Sequence, residues 1–492
     1  MPAALRSPTA RARTPSFRFA SAFLLLAFIA AATCGAPVSA ARAAEPPPGK
    51  APPDSLADSP RPEMTYAQIT ASQNSRACPS LELNFEERVR SENWDNVADF
   101  SDKTDDAHHQ WRYRTRLWAS WCLSTKTMVE LGLTNESRRI THPVTDFYPD
   151  ETIFETFNVS HSFNDQVWVK AGRQNITKGD GFILFDGGPL DGSRTQYFNA
   201  INIGYVEPQA LANRHFNLYL ISDPYRDRYL PRFDDKKKPL IEMDERALAL
   251  YYSDTRDANS TLDAYYVFKT QTGDTRARSS VPRLPDRAFH TIGGRVARQW
   301  ERGWSLAAEA AGQAGVQQPS ADVLAWGAAA AVKKAFARAP TKPSLQIGWT
   351  VLSGDDPSTT AYEGWDPLFS RYPKWSDLMV YTLAVERGAA YWTNLSMGQV
   401  EVQAAPVSRL KLRASYFSMN SFHAHPGKTT IFGTGAHRGD LFQARADLTL
   451  SGNWRGHVQG EHLKPGHFYV GRDAGWFFRV EAIYSFKKGF LT

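Results

Sequence analysis

The sequence is poor in the features most folds depend on. Only three cysteines occur in 492 residues, so no disulfide framework holds the chain together. Beyond the N-terminus no apolar run approaches the ~20 residues a membrane-spanning helix needs. The mean hydropathy of −0.44 agrees, and a bundle of transmembrane helices is excluded. Glycine (33) and proline (30) are too few for a collagen-like or wholly disordered chain. Signatures of catalysis are scarce. Gly427-Lys428-Thr429 resembles the end of a phosphate loop, but Phe422 stands where the leading glycine belongs. Lys178–Gly188 is rich in glycine and aspartate yet lacks dinucleotide spacing. His108, His109, His423 and His425 have no carboxylate or cysteine at metal-ligand spacing. No G-x-S-x-G elbow occurs. The chain is therefore expected not to be an enzyme.

Acidic residues are missing from the first 43 positions, which hold five arginines. These lead into the apolar run Phe19–Ala32, broken only by Ser21, followed by small residues. This is the pattern of a secretory signal peptide over residues 1–43. Without those arginines the 57 basic residues fall to 52, against 51 acidic ones. A nucleic-acid partner is not expected for so balanced a chain. Residues 44–78 read as a Pro-rich periplasmic segment.

What is present is alternation. In Trp111–Leu123, Trp111, Tyr113, Thr115, Leu117, Ala119 and Trp121 share one face, opposite Arg112, Arg114 and Arg116. Phe478, Val480, Ala482, Tyr484 and Phe486 likewise oppose Arg479, Glu481 and Ser485, with Ile483 the exception. Period two means strands. Eighteen are expected, at 79–93, 110–123, 125–134, 151–161, 165–173, 195–205, 214–222, 245–254, 260–270, 289–299, 303–312, 321–332, 343–352, 392–404, 408–418, 439–451, 453–463 and 476–486. Their connections alternate long and short, as in an outer-membrane barrel with short periplasmic turns and long outer loops. The fold class is all-β: one antiparallel transmembrane barrel over 79–486 with a periplasmic tail, 487–492. Segments 135–150 and 353–391 are read as long loops, Tyr381–Glu386 included. The alternative is a soluble, secreted β-sandwich or β-helix.

The inward face carries the chemistry. Phe85 and Val89 face lipid, so Glu86, Arg88 and Arg90 point inward, followed by Arg112, Arg114, Arg116, Arg295, Arg409, Lys411, Arg413 and Arg445. Inward acids are fewer, among them Glu309 and Asp447. An arginine facing lipid at mid-membrane costs about 2–4 kcal/mol, so these rows are expected to face water. Pairing with inward carboxylates accounts for part of them. The remainder suits an anion pathway, because guanidinium stays charged and grips carboxylate bidentately. Asp355 and Asp356, opening the longest loop, suggest either a solvated turn or a calcium site.

Cys34 leaves with the signal peptide. Cys78 precedes the first strand and Cys122 ends the second, both at the periplasmic end and both even-numbered like the inward arginines. A disulfide between them is expected in an oxidising compartment, with two buried free thiols as the alternative.

Segments along the chain carry a family resemblance. They are Leu83–Asn96 (LNFEERVRSENWDN), Gly172-Arg173-Gln174 with Gly179-Asp180-Gly181, RTQYFNAINI from Arg194, HTIGGR from His290, Glu309–Gln313, SGDDP with WDPLF, and Leu463–Tyr469. In order and spacing the chain resembles the bacterial alginate-export outer-membrane proteins. The resemblance implies a monomeric eighteen-stranded barrel that exports a polyuronate through a constriction lined by Arg88, Arg90, Arg112, Arg114, Arg116, Arg173 and Arg295. Asn199 and Asn202 stand where the family tends to carry Asp and Arg. The reading is thus passive export of an anionic exopolysaccharide, most simply alginate, across the outer membrane of a Gram-negative bacterium. Outer-membrane lipid, the polymer and periplasmic export partners would be its contacts. The alternatives are an uptake porin for small organic acids and a barrel hydrolase.

Overall fold

The computed structural model describes residues 78–186, 197–207, 213–233, 241, 243–272, 285–371, 374–427 and 429–491. The expected signal peptide and nearly all of the Pro-rich segment lie outside the described residues. Eighteen antiparallel strands follow one another: β1 (Ser80–Asp95), β2 (His108–Ser124), β3 (Thr127–His142), β4 (Val144–Ser162), β5 (Val167–Gln174) and β6 (Phe198–Val206). Then come β7 (Arg214–Asp223), β8 (Glu245–Asp254), β9 (Ser260–Gln271), β10 (Arg287–Trp300), β11 (Trp304–Gln317) and β12 (Ala321–Ala335). The chain ends with β13 (Ser344–Leu352), β14 (Leu395–Val407), β15 (Leu410–Asn420), β16 (His437–Thr449), β17 (Trp454–Pro465) and β18 (Gly475–Leu491). Each strand pairs with its sequence neighbours, and β1 also pairs with β18, so the sheet closes. Closure leaves no edge with unpaired backbone groups, which a lipid environment requires.

Alternation decides which face meets lipid. Leu117, Trp121, Leu250, Ile292, Trp349, Val402, Phe442 and Val480 are exposed on the outer surface, while their sequence neighbours turn inward. One end of the barrel has tight connections, such as 125–126, 301–303 and 408–409. There Phe163, Tyr205, Phe216, Trp300, Trp304, Trp454 and Phe486 form an exposed aromatic ring, as at a membrane–water interface.

Three expectations are corrected. The stretch 135–150 is not a loop: β3 and β4 run through it and only Pro143 separates them. Strand text loses its alternation there because an outer hairpin standing in water needs no apolar face. Residues 487–491 are not a tail but the end of β18, where Lys487 faces Asn84 and Leu491 faces Ser80. Tyr381–Glu386 lies in a helix, α1 (Asp377–Glu386). Its Leu378, Met379, Thr382, Leu383 and Glu386 are all buried, so no amphipathic pattern announced it. The Ala-rich β12 is a strand despite its helix propensity, because β11 pairs with it from Ala321 to Lys334 and β13 from Gly327 to Ala335.

The loop bearing α1, residues 353–394, packs against inward-facing barrel residues. Tyr381 stacks on Trp94 at 4.2 Å, and the Thr382 hydroxyl donates to the carbonyl of Val97. Phe369 N–H donates to the Ile183 carbonyl, joining this loop to the one after β5. Their Phe182, Ile183, Leu184, Trp365, Leu368 and Phe369 share a core with inward Tyr219, Ala249, Val267 and Phe289.

Candidate functional site

The first two strands and their neighbours build a wall of alternating charge. Arg88 lies 3.7 Å from Glu136 and 3.8 Å from Glu481. Arg90 bonds Glu481 and Glu92. Arg112 bridges Glu92 and Glu136 at 3.1 and 3.0 Å. Arg114 bonds Glu86 at 3.1 Å, Arg116 bonds Glu155, and Arg479 joins Glu92 to Asp377 of α1. These six arginines and six carboxylates are all buried. The sequence assigns part of these rows to pairing with inward carboxylates; here the pairing takes in all six arginines, which stand in a mutually neutralising lattice. Cross-strand register is the reason. Arg88 sits opposite Arg114 and Arg90 opposite Arg112, a repulsive arrangement that carboxylates from β3, β4 and β18 offset.

Arg173 is another buried pair member. It meets Asp227 at 2.9 Å and the side-chain oxygen of Asn199 at 2.9 Å. Asn199 also donates to Asp223, and Asn202 accepts from Asn217, so the two asparagines occupy a hydrogen-bonded cluster.

Further ion pairs fasten the inner loop. Asp366 lies within 3.4 Å of Lys269 and 3.3 Å of Arg287, and accepts from the Tyr391 hydroxyl. Burial opposes its charge, but Lys269, Arg287 and Arg371 outweigh that and hold its carboxyl at about 2. Arg438 grips Glu386, the last residue of α1, through two 2.7 Å bonds. Ser376 caps α1 by accepting from Met379 N–H and donates to Glu461. Arg295, which the sequence placed in the lumen, is forked onto Asp180 at 2.9 and 3.0 Å. Burial raises the Asp180 carboxyl, yet the Arg295 cation beside it leaves it below its ordinary value. Glu309 accepts from the Tyr265 hydroxyl nearby.

The cations nearest the tight turns are different. Lys333 on β12 and Lys411 and Arg413 on β15 form no ion pair among the described residues. Arg413 sits opposite Arg445, whose charge goes to Asp447 at 2.7 Å. Arg455 is half exposed and reaches Glu86 at 2.8 Å. Arg409 lies exposed in the 408–409 turn. Arg455 belongs to the inward basic set read from the sequence, whereas Lys333 was missed, although it shares the parity of the inward Val323 and Ala325 on β12. Facing this corner, β10 to β13 contribute small inward residues, including Ala297, Ala307, Ala331 and Gly348.

Asp355 accepts from Glu363 N–H, and Asp356 from the backbone and hydroxyl of Ser358. Both carboxylates are thus engaged within their own turn, and no cluster of three His, Cys, Asp or Glu side chains forms among the described residues. Cys78 and Cys122 are joined, with Cα atoms 5.6 Å apart.

The family model described as Alginate export matches residues 83–475. The chain belongs to that family. It is a β-barrel channel of the Gram-negative outer membrane. Similar solved structures come from Pseudomonas aeruginosa. OccK5 (OpdH) is 11% identical with a TM-score of 0.52, covering 83% of this chain and 98% of that one. The outer membrane protein OprD gives 11% and 0.52, covering 83% and 94%. OccK2 (OpdF), solved in complex with glucuronate, gives 11% and 0.52, covering 83% and 98%. At this identity the likeness is one of fold. No curated protein sequence matches the alginate-export chain.

Proposed function

We propose that this channel passes an anionic polysaccharide, most simply alginate, outward across the membrane without energy input. The observation that carries the reading is the basic corner of the lumen near the tight-turn end: Lys333, Lys411 and Arg413, beside Arg445 and Arg455, outnumber the inward Glu401 and Asp447 among them, and the first three form no ion pair among the described residues. Several weak cationic contacts along a wall let a polyanion exchange water for guanidinium and ammonium without trapping it. The buried lattice on β18 and β1 to β4 adjoins that wall, and Arg455 bonds its Glu86. OccK2 was solved with a uronate, so a barrel of this topology accommodates such a ring. Periplasmic export partners and a monomeric barrel complete the reading.

Reconstituted channels should be anion selective and blocked by oligouronates added from the tight-turn side. Lys333→Gln, Lys411→Gln and Arg413→Gln together should weaken that block and lower anion preference. A cation-selective wild type would overturn the proposal. A second reading, uptake of small organic acids, draws on the inner loop 353–394, whose helix narrows the lumen. Efficient uptake of monomeric glucuronate without oligouronate block would favour it.

A further inference from the structure

A groove of about 860 Å³ crosses the outer, lipid-facing wall. Its floor is one cross-strand row. Val402 pairs with Ala414, Ala414 with Ala444, Ala444 with Gly460, and Gly460 with Phe478. The row continues through Asn93 and His109 to His142, the last residue of β3. Three consecutive small residues on adjacent strands make the depression. Two further rows flank it, and only the first is large throughout. On one side stand Tyr416, Phe442, His462 and Trp476, each opposite the next in register. Tyr416 packs on Phe442 at 4.9 Å and His462 on Trp476 at 4.2 Å. On the other side stand Leu412, Ala446, Val458 and Val480.

The direction of the groove matters. Barrel strands tilt by about 35–45°, so a row perpendicular to them climbs across the membrane. Val402 lies mid-strand in β14, whereas His109 and His142 lie at the long-loop rim. From Val402 to Phe478 the row crosses four strand spacings, on the order of 20 Å. The floor of the slot is apolar over that length, with His462 in the wall, and it ends among imidazoles at the level of the outer interface. Arg139, facing Trp111 in register, is exposed at the same rim, with Asp95 and Asp105 as the nearby acids.

We infer that this groove seats an acyl chain of the anionic glycolipid of the outer leaflet, with its phosphorylated head at the His109, His142 and Arg139 rim. Three observations select that occupant: the slot is continuous with the lipid-facing belt, it opens at the long-loop rim, and its floor is apolar from Val402 to Phe478 before Asn93 and the imidazoles begin. Aromatic edges grip a methylene chain, and the small floor gives it depth. A protein partner is disfavoured because the slot lies at hydrocarbon depth.

Filling the floor tests the inference. A Cβ at position 460 would meet only Phe478, at 3.9 Å, so Gly460→Leu fits the fold. Wild type, Gly460→Leu, Ala444→Leu and, as a control on another outward alanine, Ala330→Leu would be purified from outer membranes in mild detergent. Bound lipid would be weighed by native mass spectrometry. Wild type and Ala330→Leu should retain the leaflet glycolipid. Gly460→Leu and Ala444→Leu should lose it at least tenfold, while keeping the heat-modifiable migration of a folded barrel and wild-type conductance. Wild type carrying only phospholipid, wild type carrying no lipid, or folded groove variants with unchanged glycolipid would each overturn it. Conductance is independent of this outer face, so failure here leaves the export reading intact.

Discussion

At the scale of single residues, the question for each inward cation is who shares its charge. Arg438 and Glu386 are buried and doubly bonded. Arg438→Met leaves a buried carboxylate unpaired and should destabilise the channel by about 3–5 kcal/mol. Converting Glu386 to Gln as well should recover part of that, read from paired denaturant-unfolding curves of the two variants. Asp366 gives a pH dependence. Its carboxyl is held at about 2, below its ordinary 3.8. Its stabilisation is therefore fully present above about pH 4 and is lost as pH falls through about 2; the shift corresponds to about 2 kcal/mol. Protease protection of the 353–394 loop should hold from pH 8 to pH 4 and fall below pH 3. In Asp366→Asn it should be weak throughout. By the same logic, neutralising Arg112, Arg114 and Arg116 strips partners from Glu86, Glu136 and Glu155. Its first effect should be on folding, and only its second on ion preference.

At the scale of elements, β18 shows how a boundary is decided outside the segment itself. Its outward residues up to Phe486 meet lipid, and the text beyond, Lys487-Lys488-Gly489, reads as a tail. Residues 487–491 extend because β1 offers Ser80–Asn84 as a partner, with Lys487 bonded to Glu82 at 2.6 Å. Deleting residues 487–492 should therefore lower the unfolding midpoint while the barrel still assembles. Deleting from Tyr484 should abolish heat-modifiable folding, since that removes the closing aromatic residues too. Helix α1 follows the same rule. Nothing in its own text sets it apart, and Ser376 at its cap works jointly with Glu461 on β17. Ser376→Ala should cost about 1 kcal/mol or more, seen as faster cleavage of the inner loop.

At the scale of the whole molecule, closure is the central event, and the Cys78–Cys122 bond sits where it happens. It ties the start of β1 to the end of β2 across a separation of 44 residues. Such a crosslink is worth about 3–4 kcal/mol in the chain-entropy estimate. Non-reducing peptide mapping should recover the joined peptides, and Cys78→Ser should shift unfolding to lower denaturant without changing conductance. Because β1 pairs on both sides, with β2 and β18, the bond pins the strand on which closure depends.

Strand number, inward parity and the membrane face were legible because a period of two is local: each residue's side follows from its neighbour. Leu117 out and Arg116 in can be read from text alone, as can the inward parity that Cys78 and Cys122 share and the strand order that brings them to one end. Charge pairing was not legible. Arg116 finds Glu155 on β4 and Arg90 finds Glu481 on β18, partners 39 and 391 residues away. Which arginines are neutralised, and which cations are left over at Lys333, Lys411 and Arg413, depends on register across strands that close only in three dimensions. The inner helix and the outer groove are decided in the same way. One is held by carboxylates and arginines from distant strands; the other exists because Ala414, Ala444 and Gly460 fall into one row.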